Sequence, residues 1–308
     1  MATSAATATA PVPLFRDELI GRGLLIATGV PGVYGRSGEF EDTLMRIDRI
    51  IDTLGAPDEP EVVRFPPVLD RQTFEQSGFL DSFPHLIGTV HSFAGRDREH
   101  RDLLRAVENG AQWSAQFPPT TVVLTPAACY PTYPMMTGPL PRAGRLVDVL
   151  SYCFRHEPSE DAGRMQMFRM HEYVRAGNAA TVLSWRTRWL GRAKRLVDAL
   201  GLAVRTDVAS DPFFGRAGAL LADSQRNQQL KLEILAPVAN PASLTAVISL
   251  NYHQTHFAER FGIAAHDGTT GHTACVGFGL ERLTLAVYRR HGLDRKQWSA
   301  PVREALEL

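Results

Sequence analysis

The chain has 308 residues, of which 44% are hydrophobic and 21% charged, and its 33 acidic side chains balance its 33 basic ones. This length and composition predict a globular protein with a sizeable core and exclude a disordered chain. Zero formal charge argues against a protein that binds nucleic acid through a general basic excess. The three cysteines are an odd number and lie far apart, which predicts free or metal-bound thiols in a reducing cytoplasm.

The N-terminal part shows no targeting or membrane signal. Residues 1–13 are small and uncharged, so we expect a disordered tail followed by a single domain of residues 14–308. Leu24–Val33 is apolar but too short to span a bilayer. Glu39–Leu54 carries apolar residues at helical spacing and predicts an amphipathic helix.

Short elements are predicted between residues 60 and 125. They are a strand broken by prolines at Val62–Val68, a helix ending in a turn at Arg71–Pro84, a charged helix at Asp97–Asn109, and a β-branched strand at Thr120–Leu124. In the charged helix, the spacing of Leu103, Leu104 and Val107 predicts that these side chains face inward.

Residues 153–175 predict two antiparallel strands joined by a polar loop. The first strand ends in the string FRHE, Pro158–Gly163 has the composition of a turn, and Met165–Val174 resumes apolar residues. Arg155 and Arg164 stand on opposite sides of this loop. Two guanidinium groups facing one ligand suit bidentate binding of phosphate, so the loop predicts a nucleoside triphosphate site.

A long helix is predicted at residues 178–200, within a helical insertion of about residues 178–228. One face of this helix is apolar and the rest is crowded with basic residues, including Arg188, Arg192 and Lys194. Such a face is either simply solvated or a dock for an acidic partner.

The C-terminal third predicts two further strands and a glycine-rich turn. Gln229–Val238 alternates apolar and charged residues, which places Lys231 and Glu233 on one face of a strand. Leu244–Leu250 is the next strand. Gly277–Arg282 (GFGLER) then joins a strand end to an apolar helical run.

These strings resemble the class II aminoacyl-tRNA synthetases. FRHE, the loop, Arg164 and Phe168 resemble the second signature motif of that family, and Gly277–Arg282 with the following helix resembles the third. The string TPAACYP after the Thr120–Leu124 strand is similar to the seryl-type enzymes, and most similar to their truncated relatives, the amino acid:[carrier protein] ligases. The resemblance implies an α/β fold from about residue 60 onward, with one antiparallel sheet flanked by helices, and a homodimer.

The resemblance also implies the ATP site. It assigns the α-phosphate to Arg155, the adenine or ribose side to Glu157, the adenine face to Phe168, the γ-phosphate to Arg282 and Mg²⁺ to Glu233, with Arg164, Met165 and Lys231 completing the site. It places Ala246, Val247, Ile248 and Ser249 along the amino-acid pocket. Val247 and Leu250 replace a Glu and a Ser of the seryl pattern, which leaves the number of Mg²⁺ ions open.

One zinc ion per chain is implied at Cys129, Glu172 and Cys275. Three protein ligands and one open position are typical of a reactive zinc site, and a neutral substrate amine can take the open position. Cys153 is interpreted as structural.

Histidines offer a rival metal site. His253 and His256 are three residues apart, and His272 precedes Cys275 by the same interval, which are known ligand spacings. Such pairs also occur on helix surfaces and between strands.

The implied reaction is ATP-dependent activation of glycine or alanine to its adenylate, followed by transfer to the phosphopantetheine thiol of an acidic carrier protein. The basic helix, with Arg188, Arg192 and Lys194, is the expected dock for that carrier. Transfer to tRNA is not expected from a neutral chain without a long helical arm. A seryl-type aminoacyl-tRNA synthetase and a non-catalytic regulatory paralogue are the alternatives.

Overall fold

The computed structural model describes residues 14–240 and 242–308, so the expected tail at residues 1–13 lies outside the described residues. The strands are β1 (Leu25–Ala27), β2 (Tyr34–Arg36), β3 (Glu61–Arg64), β4 (Val68–Asp70), β5 (Thr89–His91), β6 (Pro119–Leu124), β7 (Gly138–Pro139), β8 (Arg145–Phe154), β9 (Met167–Gly177), β10 (Arg205–Val208), β11 (Lys231–Asn240), β12 (Ser243–Gln254), β13 (Ile263–Ala264) and β14 (His272–Gly279). The α-helices are α1 (Phe15–Gly21), α2 (Gly38–Gly55), α3 (Arg71–Gln76), α4 (Phe79–Ser82), α5 (Asp97–Glu108), α6 (Ala179–Ala199), α7 (Gly215–Asn227), α8 (His256–Phe261), α9 (Leu280–His291) and α10 (Ala300–Ala305).

A seven-stranded sheet, ordered β10-β11-β12-β14-β9-β8-β3, organises the fold. The expected α/β architecture of a sheet flanked by helices is confirmed, and all neighbouring strands from β10 to β8 are antiparallel. The edge strand β3 instead pairs with β8 in parallel, so the sheet is mixed. Pro66 and Pro67 separate β3 from β4, which joins a different, three-stranded sheet with β6 and β5.

Helices α2, α6 and α9 cover one face of the large sheet, which we call the back face. Their apolar stripes meet the strands in the main core, where Trp185 and Trp189 of α6 are almost fully buried. This core also includes Phe15 and Phe40, so it extends well before residue 60. The expected helical insertion is not purely helical, because β10 forms the edge of the large sheet between α6 and α7.

The small sheet and helices α3 and α4 form a separate apolar cluster around Phe74 and Phe79. Helix α5 lies at the outside of this unit, and the prediction of its inward face is wrong. Leu104 and Val107 are 48% and 52% exposed, because the helix has no buried residue and packs against no core. An amphipathic pattern indicates an apolar face but does not identify what covers it.

Among the residues that the structure describes, no helix is long and apolar enough to cross a membrane.

Candidate active site

A cavity of 490 Å³ lies over the other face of the large sheet, which we call the front face. Its size is within the range of small-molecule sites. Its walls come from four strands of the large sheet, from α7 and from the α3–α4 unit. Thirteen of the expected site residues line it: Cys129, Arg155, Glu157, Met165, Phe168, Glu172, Lys231, Glu233, Ala246, Val247, Ser249, Cys275 and Arg282.

The strand register brings distant residues together on the cavity floor. Glu233 pairs with Ser249, Ser249 with Gly277, and Gly277 with Glu172, so one row crosses β11, β12, β14 and β9. Cross-strand partners share a face of the sheet, so the row points into the cavity. Gly277 adds no side chain to the row, and a Cβ there would lie in van der Waals contact with the Glu172 side chain.

The expected zinc ligands form a tight buried group. Cys129, Glu172 and Cys275 are 6%, 2% and 2% exposed, and their ligand atoms all lie within 4.8 Å of one another. The Cys129 backbone N–H donates to the Glu172 Oε1 at 3.1 Å. Burial raises the pKa of Glu172, while the Cys275 thiol, burial and the Glu172 carboxylate raise the pKa of Cys129 well above its usual range.

This group fits a zinc ion. Two thiols and a carboxylate face one another, and within residues 14–240 and 242–308 no Lys, Arg or His forms an ion pair with Glu172. Burying such a carboxylate is costly unless a cation balances it. Two thiolates and one carboxylate also leave a tetrahedral zinc with a fourth position for a ligand.

Two side chains of β12 contact the Cys275 sulfur. The Asn251 Nδ2 donates to the Cys275 Sγ at 3.3 Å, and the His253 Nε2 lies 3.6 Å from the same atom. The His253 Nδ1 is 3.1 Å from the Thr273 Oγ1. Burial lowers the pKa of His253 to about 3, so this imidazole is neutral at ordinary pH.

The rival histidine site is not assembled. His256 donates from Nε2 to the Ser77 carbonyl, and the His272 Nδ1 bonds the Tyr252 hydroxyl at 2.6 Å. Among the described residues, His253, His256 and His272 belong to no group of three metal-ligating side chains.

Two arginines in the cavity are held by carbonyl groups instead of carboxylates. The Arg155 Nε donates to the Pro126 carbonyl at 3.0 Å, and its guanidinium lies 5.6 Å from the centre of the Phe168 ring. Arg282 donates from Nε to the Gly163 carbonyl at 2.8 Å and from Nη1 to the Ala246 carbonyl at 3.1 Å. Burial and then the charges of Arg155 and Arg164 lower the pKa of Arg282 to about 10, and Glu157 and Glu233 offset this only in part. Both guanidinium groups are therefore suited to an anionic ligand.

At the Glu233 end of the row, a lysine forms ion pairs with two carboxylates. The Lys231 Nζ lies 2.5 Å from the Asp211 Oδ1 and 3.0 Å from the Glu233 Oε1. Burial would lower the pKa of Lys231, but these two carboxylates raise it. The Gln225 Nε2 donates to the Asp211 Oδ2 at 2.8 Å, and the Gln225 Oε1 accepts from the Asp211 backbone N–H.

The sequence comparisons agree with this geometry. No family model matches the chain. Amino acid–[acyl-carrier-protein] ligase 2 of Bradyrhizobium diazoefficiens is 42% identical over 300 residues, which are 97% of this chain and 90% of that protein. This chain belongs to the amino acid–[acyl-carrier-protein] ligases. Ligase 1 of the same organism is 43% identical over 92% of this chain and 88% of its own length.

Seryl-tRNA synthetases are more distant from this chain in sequence than the carrier-protein ligases are. The type-2 serine–tRNA ligase of Methanococcus aeolicus is 31% identical over 60% of this chain but only 37% of its own length. The structure of M. kandleri SerRS with A. aeolicus tRNASec superposes with a TM-score of 0.82 at 20% identity, over 95% of this chain and 60% of that one. That of Pyrococcus horikoshii seryl-tRNA synthetase with ATP has a TM-score of 0.71 at 17% identity, over 96% and 63%. These structures show that the ligase has a class II synthetase core.

Three expectations for site residues in this ligase change. Arg164 does not line the cavity: its side chain is 55% exposed and donates to Glu157 at 3.4 Å. Ile248 does not line it either, because strand alternation turns this side chain into the back-face core. Lys231 does line the cavity, but its charge is already matched by Asp211 and Glu233, which leaves little for phosphate.

Sequence reasoning missed Asp211 and Asn251 as site residues, and it assigned His253 to a rival metal site and not to the contact with Cys275. Asp211 begins the string DPFFG, which is only a turn signal in sequence. Asn251 and His253 follow Ser249 at every second position of β12, so strand alternation was the signal that could have found them.

Proposed function

We propose that this protein activates glycine or alanine with ATP and transfers it to the phosphopantetheine thiol of an acyl carrier protein. The observation that carries the proposal is the likeness to carrier-protein ligases over 97% of the chain, combined with a cavity that holds two arginines beside a Cys–Glu–Cys group. Large side chains beside Cys129 and Cys275, namely Tyr130, Met170 and Phe257, favour a substrate with little or no side chain.

In the first step, a carboxylate oxygen of the amino acid attacks the α-phosphorus of ATP, and diphosphate leaves with the electron pair of the broken P–O bond. Charge on the phosphates is the main obstacle, so positioned cations supply most of the catalysis. Arg155 serves the α-phosphate, Arg282 the departing diphosphate, and Phe168 the adenine face, while Glu157 lies on the adenine or ribose side. Mg²⁺ would accompany ATP, with Glu233 as its ligand.

Cys129, Glu172 and Cys275 would hold one zinc ion per chain, which supplies a Lewis acid for the substrate amino group. The chain's own contribution is orientation: Glu172 lies in the row next to Ser249 and Gly277, and the ligand group lines the same cavity as Arg155 and Arg282. Ala246, Val247 and Ser249 complete the amino-acid pocket.

In the second step, the carrier's thiol sulfur attacks the acyl carbon, AMP leaves, and the thiol proton passes to solvent. A carrier acceptor is favoured over tRNA because the carrier-protein ligases are 42% and 43% identical to this chain, whereas the type-2 serine–tRNA ligase of M. aeolicus is 31% identical. We place the reaction in the cytoplasm, since the three cysteines are free thiols.

We also propose a homodimer. Leu104, Val107 and Trp113 are 48%, 52% and 52% exposed on the outer side of the small-sheet unit, and a second copy of the chain would cover them. Light scattering should give the mass of a dimer for the wild type and a smaller mass for Trp113→Glu, which places a charge in the proposed interface. A monomeric wild type would contradict the proposal.

The function is tested by ATP–diphosphate exchange across the standard amino acids, followed by transfer to carrier protein or to bulk tRNA. We expect exchange with glycine or alanine and transfer to a phosphopantetheinylated carrier. The matched control is the same carrier without its arm, which must remain uncharged. Charging of tRNA without transfer to any carrier would favour a synthetase, and no exchange with any amino acid would favour a non-catalytic paralogue.

A further inference from the structure

A second group of metal-ligating side chains lies on the back face of the large sheet, away from the cavity. It consists of Asp52 on α2, Asp148 on β8 and His171 on β9. Their ligand atoms all lie within 4.8 Å of one another. None of the three lines the cavity, so the group is separate from the site described above.

His171 is oriented toward the two carboxylates. Its side chain is fully buried, and its Nδ1 lies 2.7 Å from the Asp48 Oδ1. A carboxylate at Nδ1 fixes the imidazole with its Nε2 free to ligate, the arrangement found behind many metal-bound histidines. The Nε2 makes no hydrogen bond within the described residues, yet it points at the Asp148 Oδ1 at 3.3 Å and the Asp52 Oδ1 at 3.9 Å.

These separations suit a metal ion. Ligand atoms about 2.1 Å from a tetrahedral zinc lie about 3.4 Å from one another, which is close to the two distances from Nε2. Asp148 and His171 are buried, whereas the Asp52 side chain is 50% exposed and opens the group to solvent. Water can therefore complete the coordination from the Asp52 side.

The charges also favour a dication. Three carboxylates, Asp48, Asp52 and Asp148, surround His171, and Arg64 compensates one of them by donating from Nη1 to the Asp148 Oδ1 at 2.7 Å. Burial would lower the pKa of His171, but Asp148 and Asp48 raise it to about 9, so a metal ion would have to displace the imidazole proton. A divalent ion beside the resulting neutral imidazole would balance the remaining two carboxylates. Mixed imidazole and carboxylate ligands are typical of zinc and its first-row neighbours, not of calcium.

We propose that Asp52, Asp148 and His171 bind a second divalent transition-metal ion, zinc by class, which fastens helix α2 to strands β8 and β9. The site takes no part in the reaction. It cross-links a helix to the sheet that carries Glu172 on its other face.

Metal content and cobalt spectra of the full-length protein test the proposal. After loading with Zn²⁺ and desalting, we expect two equivalents in the wild type, one in Asp52→Asn and two in the matched surface control Glu59→Gln. Asp52 is half exposed, so its replacement by Asn leaves the fold intact. With Co²⁺, Asp52→Asn should keep the thiolate-to-cobalt charge-transfer band, which only Cys129 and Cys275 can give.

The complementary variant separates this proposal from the cavity zinc. Cys129→Ala should lose the charge-transfer band and still bind one equivalent, which Asp52→Asn in the same background should remove. Equal metal content in Asp52→Asn and the wild type overturns the second site, and so does a folded Cys129→Ala that binds none. In either case His171 is a protonated partner of the three carboxylates. A missing thiolate band in the wild type would instead count against the cavity zinc alone.

Discussion

The arginines on the two faces of the large sheet have different kinds of partner. On the back face, Arg169 donates to Glu41 through Nη1 and Nη2 at 2.7 and 2.9 Å, and to Glu281 through Nε at 2.9 Å. On the front face, Arg155 and Arg282 donate only to backbone carbonyls, and within the described residues neither forms an ion pair. The ion pairs of Arg169 hold α2 and α9 to the sheet, whereas Arg155 and Arg282 have no carboxylate partner within the described residues and are able to bind an anionic ligand.

The difference teaches which charged residues of a motif serve structure and which serve chemistry. Glu281 and Arg282 are adjacent in the GFGLER string and both reach the cavity, yet Glu281 is 1% exposed and accepts from Arg169, while Arg282 donates only to backbone carbonyls. The five predictions below test this contrast.

The largest effect should follow loss of a thiolate from the front-face ligand group. Cys275→Ala removes one of three protein ligands, so we expect the front-face zinc to be lost completely. Elemental analysis combined with the cobalt charge-transfer band measures this. Cys153→Ala is the control, because Cys153 is buried outside the cavity and should keep the band. A Cys275→Ala protein with an unchanged band would contradict the ligand assignment.

Breaking the back-face network should cost stability. Arg169→Ala leaves Glu281 buried without its main partner, and we expect a loss of about 3–5 kcal/mol in the free energy of unfolding. Urea denaturation followed by fluorescence measures it. Arg205→Ala, at an exposed pair with Asp207, is the comparison and should change stability little. Equal losses in the two variants would show that the buried network has no special weight.

Removing a front-face arginine should reduce activity and spare the fold. Arg282→Ala and Arg155→Ala each delete a donor to phosphate, for which we expect at least a 100-fold loss in ATP–diphosphate exchange. Thermal melting should show wild-type stability, since neither side chain forms an ion pair within the described residues. Exchange near the wild-type rate in either variant would refute the ATP assignment.

A smaller effect, on zinc affinity, is expected from replacing either of the two side chains that contact the Cys275 sulfur. Asn251→Ala and His253→Ala each remove a contact to the Cys275 sulfur, so zinc affinity should fall by about 10- to 100-fold. Competition with a chromophoric chelator gives the affinity. His272→Ala is the control, because His272 bonds Tyr252 instead. Unchanged affinity in both variants would show that the thiolate needs no such support.

The smallest effect is expected on helix α6, where sequence reasoning placed the carrier dock. No α6 residue lines the cavity, and Arg192 is already bound by Asp58 at 2.6 and 2.8 Å. The structure therefore does not support that expectation, and Arg188→Glu with Lys194→Glu should leave transfer at limiting carrier unchanged. A marked slowing at low salt would restore α6 as the dock.

Sequence patterns predicted most of the front-face site because its residues lie in strings of recognisable chemistry. FRHE predicted the strand end that precedes Arg155, GFGLER predicted the strand-to-helix junction that places Arg282 at the start of α9, and alternation predicted that Lys231 and Glu233 share a face. Alternation from Ser249 should have excluded Ile248, whereas Ala246 still lines the cavity because the register of β11 and β12 shifts between these two residues.

What could not be predicted depends on contacts between distant segments. The pairing of Lys231 with Asp211, the parallel edge strand β3 and the cluster of Asp48, Asp52, Asp148 and His171 all join residues far apart in the chain. Local propensity and periodicity contain no information on such pairs. The predicted inward position of Leu104 on α5 was wrong for the same reason. The helical pattern did not show that this helix lies at the outside of the fold.

The position of Cys129 ties two parts of the fold together. It follows β6 of the small sheet, whereas Glu172 and Cys275 belong to the large sheet. Its neighbour Tyr130 packs against the cluster around Phe74 and Phe79 and also against a cluster that contains Tyr133, Phe257 and Cys275. The small-sheet unit also supplies Phe79, Phe83 and Leu86 to the cavity wall. Loss of the proposed bond between the Cys129 thiolate and zinc would therefore release this wall as one cooperative unit. Amide hydrogen exchange would detect the release as local opening. The three side chains proposed to hold zinc would thus also determine how often the cavity wall beside them opens.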